Sequence, residues 1–297
     1  MLRLLRSEVY RLVRRWMPWV LLFLIVLLAF VAYELIWVTS NAQLALLRSG
    51  TAPVTPNAPP VDVQIKSIED AIQQLRPSRL TSIGVGLVVA LGTIVLIVFS
   101  ASHMGTEWAW GTMRTLLAAG AGRIQLLATK YFTLVGFAIV YVVVGLIAVT
   151  AASFIVSSQA GLDTSGFDAQ LLASAATRAV YGFFPYMALA SLIALWFRSA
   201  GGGIAAGLVI SFTESIVTSI LVQFNKDFVT VANFGISRNV QSISRTGDGP
   251  TVRGGPDPSG LLTLPDQTQA AIVIAAWILL FVVLAVSRLR SRDITLS

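Results

Sequence analysis

Six apolar stretches, at about 16–38, 83–102, 131–156, 179–197, 203–224 and 270–287, each approach or exceed the length that crosses a bilayer. About 20 consecutive apolar residues span the hydrocarbon core as a helix. Backbone amides in that core have no water to bond to, so a spanning segment must satisfy itself as a helix or pair into a closed barrel. A barrel needs alternating apolar and polar residues, and these runs do not alternate. Charged residues make up only 12% of the chain, against about 25% in soluble domains. The expectation is an all-α integral membrane protein: one domain over 1–297 with six transmembrane helices. The first run is read as a retained span, because its apolar part is too long for a cleaved signal peptide.

Charge placement orients the bundle. With both termini inside, the inner segments hold twelve basic residues against Glu8, Glu107 and Asp293, an excess of +9. The outer segments, mainly loops 39–81 and 225–268, hold nine basic residues and nine acids. Glu34 and Glu214 within the spans bring the sum to the chain's +7. Basic residues concentrate on the cytoplasmic side of membrane proteins, so the excess reports orientation and contact with anionic lipid rather than nucleic acid. The expected location is a bacterial or archaeal plasma membrane, multi-pass, with both termini cytoplasmic.

Several segments between spans carry structure of their own. In residues 1–15, Leu2, Leu5, Val9, Leu12 and Val13, with Trp16 beyond, fall on one stripe at helical spacing, and Arg3, Arg11, Arg14 and Arg15 lie outside it. That pattern predicts an amphipathic helix in the inner headgroup layer. In the first outer loop, Ser67 and Asp70 have capping-box spacing ahead of an apolar face of Ile65, Ile68, Ile72 and Leu75, and Pro77 should end that helix. Pro185 lies inside the fourth run and should kink it; Arg178 can snorkel to the outer headgroups. Arg198 with Gly201, Gly202 and Gly203 suggests a tight inner turn. Phe228, Val231, Phe234 and Ile236 predict one or two short helices dipping into the outer leaflet, followed by a Gly/Pro/Asp-rich stretch over 245–258.

Between the second and third runs, 103–130 reads HMGTEWAWGTMRTLLAAGAGRIQLLATK. An acid, a Gly-Thr pair four residues on, a Leu-Leu pair, a basic residue and a lysine lie there as Glu107, Gly111-Thr112, Leu116-Leu117, Arg123 and Lys130, with Arg114-Thr115 in a basic-polar slot. This pattern resembles the ABC-2 family of ABC-transporter permeases, although Gly120 stands where that family often has proline. The resemblance implies a cytoplasmic coupling helix over about 107–119 that docks into a groove of an ATP-hydrolysing subunit. Glu107, Gly111, Thr112, Arg114, Leu117 and Arg123 are its coupling residues. Gly105 and the Gly120-Ala121-Gly122 turn should isolate it from the spans. Glu107 and Arg114 should leave charges free for the partner, while Trp108 and Trp110 anchor the element at headgroup depth.

The remaining chemistry is sparse. No GxxxxGK[ST] occurs, so the chain cannot build a P-loop. ATP and magnesium are expected on a separate ATPase present in two copies, with no cofactor bound by this chain, which is not read as an enzyme. There are no cysteines and one histidine, His103; His103 and Glu107, four apart, make too small a donor set for a metal site. Glu214 sits mid-span beside Ser211, Ser215, Thr218 and Ser219. It is either a lining residue of a transport path or dimer seam, or a protonated group shared between packed helices. The resulting expectation is a permease subunit of an ABC-2 type transporter, an exporter by resemblance, paired with a second permease subunit as homodimer or heterodimer. The alternatives are a secondary transporter, which would need repeats and broken helices, and a non-transporting membrane anchor or assembly protein.

Overall fold

The structure is a computed structural model that describes residues 2–51, 59–118, 120, 122–224, 228–244 and 264–291. Among these, regular structure is helical throughout: α1 Leu2–Val13, α2 Trp16–Arg48, α3 Val61–Gln73, α4 Ile83–Ala109, α5 Thr112–Ala118, α6 Arg123–Gln159, α7 Ala169–Phe197, α8 Ala200–Phe224, α9 Phe228–Ala232, α10 Ile236–Ser244 and α11 Gln267–Ser291. A 3-10 turn, Pro77–Arg79, precedes α4. Six helices, α2, α4, α6, α7, α8 and α11, are long and apolar enough to cross a membrane.

The spanning helices outrun the apolar runs that announced them. Residues 39–48, TSNAQLALLR, contain neither Gly nor Pro, so α2 continues to Arg48 into what was expected to be outer loop. Likewise, α4 carries on through Gly105 to Ala109, and α6 begins at Arg123 instead of near 131. The expected inner segment 103–130 therefore shrinks to the single short helix α5 and its two turns. Hydrophobicity marks how much of a helix lies in lipid; helical propensity decides how far it extends beyond.

α4, α6 and α7 form the inside of the bundle, with half or more of their most apolar windows buried, and α2, α8 and α11 lie outside. Two core clusters share the load. One joins α2, α4, α6 and α7 around Ile25, Tyr33, Val88, Tyr141 and Phe183. The other joins α4, α7, α8, α10 and α11 around Ile97, Tyr186, Ala190, Val240 and Ile274.

Three local expectations change. Ser67 is not a helix cap: α3 starts six residues earlier, after Pro60, and the Ser67 hydroxyl donates to the Gln64 carbonyl at 2.8 Å. Its apolar face is as expected, turning Ile72 and Leu75 inward. Gly201, Gly202 and Gly203 do not form the α7–α8 turn but lie inside α8; the turn is made by Arg198 in the left-handed region (φ 52°) and Ser199. Gly203 serves close packing instead, since a Cβ there would sit 2.7 Å from Ala194 Cβ and 2.9 Å from Ala101 Cβ. Gly105 is likewise no hinge. A side chain on it would run into the backbone of Ala200, so α4 and the start of α8 touch main chain to main chain. Pro185 lies buried within an unbroken α7, and Arg178 lies in the third turn of that helix. The outer-loop stretch 245–258 lies outside the described residues.

Candidate functional site

One end of the bundle gathers α1, the C-terminal ends of α4, α7 and α11, α5, and the N-terminal ends of α2, α6 and α8. α5 hangs there between two glycines with left-handed backbone, Gly111 (φ 70°) and Gly120 (φ 87°). This conformation is strained for side-chain-bearing residues and open to glycine. Met113 is fully buried and Leu116 packs on the second core cluster, so α5 rests one face on the bundle. Thr115 and Ala118 face outward, as does Trp110 just before the helix. The Thr112 hydroxyl donates to the Glu107 carbonyl at 3.3 Å, tying α5 to the last turn of α4. The side chains of Arg114 and Leu117 lie outside the described residues.

At the base of α5 sits a cluster of four charges, three of them buried and Arg11 partly exposed. Lys130 Nζ lies 2.7 Å from Glu107 Oε2, and both residues are 0% exposed. Lys130 Nζ also lies 3.8 Å from Glu8 Oε1 and donates to the His103 carbonyl at 3.5 Å. Arg11 closes the set, with Nη2 2.6 Å from Glu8 Oε1 and Nη1 3.7 Å from Glu107 Oε1. Two acids and two bases cancel, which is what allows ionised groups to leave water together. Glu107 is therefore not a charge left free for a partner. The first acid and the final lysine of the motif are each other's counter-ions, closing the α4–α5–α6 crossover. Glu8 and Arg11 were missed as site residues; the available signal was a lone acid among five arginines in the first fifteen residues.

Arg–Trp contacts line the same end of the bundle. Arg15 lies over Trp110 at 5.2 Å and contacts Thr106 at 3.5 Å, and Arg198 lies over Trp108 at 5.2 Å. Arg288 lies over Trp196 at 4.4 Å. Arg123 reaches across to α11, donating to the carbonyls of Leu289 (3.3 Å) and Arg290 (3.0 Å). Cations favour such C-terminal carbonyls because they complement the helix dipole. His103 stacks on Phe99 with ring centroids 5.8 Å apart.

The other candidate, Glu214, lies just past the middle of α8. Its Oε1 accepts the Ser237 backbone N–H at 2.9 Å, so it caps the N-terminus of α10 from a neighbouring helix. Gly235 permits the approach, since a Cβ there would sit 2.6 Å from that oxygen. Arg238 donates to Asn233 Oδ1 at 3.1 Å, Asn239 to the Asn233 carbonyl at 2.9 Å, and Trp277 to the Phe234 carbonyl at 2.9 Å. Ser211 is buried and turns its hydroxyl to its own helix at Leu208 (2.9 Å); Ser215 and Thr218 are half-buried. The expected short helices are α9 and α10, and Phe228, Val231 and Phe234 stand bare.

These features define a polytopic helical membrane protein with a charged, helix-bearing crossover between its second and third spans. The chain belongs to the ABC-2 transporter family: the family model described as ABC-2 family transporter protein matches residues 2–294. No curated protein and no solved structure gives a significant match to the chain.

Proposed function

We propose that the chain is the permease subunit of an ATP-driven exporter, working beside a second permease subunit and two copies of a separate ATPase that binds ATP and magnesium. The supporting observation is α5 itself: a short helix at the basic end of the bundle, isolated by Gly111 and Gly120 and bound internally to α4. Force applied to its outer face passes through Thr112 and Glu107 into α4 and through Lys130 into α6. Both termini lie on the cytoplasmic side in this reading. A second permease copy covers part of the bare apolar surface of α2, α8 and α11. The Glu214 side of α8, with Ser215 and Thr218, borders the outer mouth of the path.

Co-purification with the ATPase tests the proposal. Thr115→Arg with Ala118→Arg, on the outward face, should release the ATPase while the permease stays folded. Retention of the ATPase by that variant, or uphill transport by the purified chain alone in vesicles, would overturn it. Glu107→Arg is unsuitable for this purpose, because it puts a second cation against buried Lys130.

A further inference from the structure

Around its circumference α1 presents three unlike sectors. Leu4, Glu8, Arg11 and Leu12 turn towards the bundle and are buried or half-buried. Next to them lies an apolar sector that none of the described residues covers, with Val9 and Val13 exposed and Trp16 85% exposed just beyond the helix. It runs on into the bare flank of α2 at Trp19, Val20 and Phe23. The third sector holds Arg3, Arg6 and Arg14, all exposed. At 100° per residue, one helix can then touch protein, acyl chains and headgroups at once.

From this arrangement we infer that α1 is a lever that reads anionic phospholipid: headgroups on Arg3, Arg6 and Arg14 set its position, and the Glu8–Arg11–Glu107–Lys130 cluster passes that position to the coupling helix α5. The apolar sector alone would hold α1 to any bilayer. The three arginines add attraction that depends on lipid charge and weakens with salt. The joint is specific to Glu8 and Arg11, which are the side chains of α1 that enter the buried set; Lys130 and Glu107 receive them from α6 and α4. Glu8 and Arg11 are thus positioning residues that act through Glu107. The inference rests on α5 being the docking element, but its test uses no ATPase, so failure of one reading is separable from failure of the other.

The chain lacks cysteine, so spin labels can be placed without background. The full chain carrying Thr115→Cys on α5 and Ser158→Cys near the far end of α6 is reconstituted in nanodiscs of phosphatidylcholine, with and without phosphatidylglycerol. Electron–electron double resonance then reads the separation. The mean distance should shift on the order of 1–2 Å, the usual scale of helix shifts, when phosphatidylglycerol is added, and high salt should reverse the shift. The triple variant Arg3→Gln, Arg6→Gln, Arg14→Gln should lose it. Glu8→Gln should also lose it while a Lys66→Cys/Ser158→Cys pair, at the opposite end, keeps its distance. If Glu8→Gln does not fold, Arg11→Gln tests the same joint through a partly exposed residue. An unchanged Thr115–Ser158 distance in both lipids would overturn the inference, as would a shift that survives loss of the joint.

Discussion

Lys130 on α6 and Glu107 on α4 lie 2.7 Å apart and fully buried, 23 positions apart in sequence and opposite in charge. Removing one charge of such a pair leaves the buried set with one uncompensated charge, a loss that reaches about 3–5 kcal/mol in protein interiors. Lys130→Met and Glu107→Gln should each lower the thermal unfolding midpoint strongly in detergent. The double variant leaves Glu8 facing Arg11 as a neutral pair and should recover most of the loss. A cycle in which the two losses simply add would show that the pair is not coupled.

Gly105 and Gly86 lie on the same helix in opposite surroundings. A Cβ at Gly105 would collide with the Ala200 backbone, while one at Gly86 meets nothing. Gly105→Ala should destabilise by about 1–3 kcal/mol through overpacking. Gly86→Ala should be neutral or stabilise by up to about 1 kcal/mol through helix propensity. Melting curves of the two variants compared under one condition decide the matter.

Arg123 faces the end of α11. Arg123→Ala should lose charge-assisted bonds to Leu289 and Arg290, about 1.5–3 kcal/mol, and hydrogen exchange in the last turn of α11 should quicken. Binding of the ATPase should hardly change, in contrast to Thr115→Arg with Ala118→Arg. Equal loss of binding in both variants would return Arg123 to the docking face.

Glu214→Ala should release α10 by removing the acceptor of the Ser237 N–H, at a cost of about 1–3 kcal/mol. A cysteine placed at Ser242, buried in the folded chain, should then react with a water-soluble maleimide. Glu214→Gln keeps a carbonyl acceptor and should protect that cysteine better than Glu214→Ala does.

At the start of α11, Asp266 accepts the Thr268 backbone N–H at 2.9 Å, which holds its carboxyl below the ordinary carboxylate range. A depressed folded value means the cap stabilises α11 above the unfolded carboxylate value and is lost as pH falls through the folded one. Asp163, bonded to Ser165, behaves in the same direction. Exchange of the Thr268 amide, corrected for its intrinsic rate, should therefore accelerate at acid pH, and Asp266→Asn should flatten that dependence.

Six spans, a helix ahead of the first of them and the short helices before the last span were legible because hydrophobic length and periodicity are local properties. The ends of α2, α4 and α6 were not: beyond the lipid, helix formers such as those in 39–48 and 123–130 carry the helix onward without an apolar signal. Glu107 was found as a motif residue and given the wrong surroundings. Its burial depends on Glu8 and Arg11 arriving from α1, about a hundred residues earlier, and sequence spacing is blind to that. The glycines of α8 looked like a turn because a Gly run and a close helix contact share one composition; only the neighbours Ala101 and Ala194 tell them apart.

The seat of Gly203 between Ala101 and Ala194 has a mechanical corollary. Three rods in backbone-level touch cannot roll past one another without shearing their shared seam. α4, α7 and the first half of α8 therefore travel as a single wall, and any opening cycle in this bundle must be hinged along its borders with α2, α6 and α11.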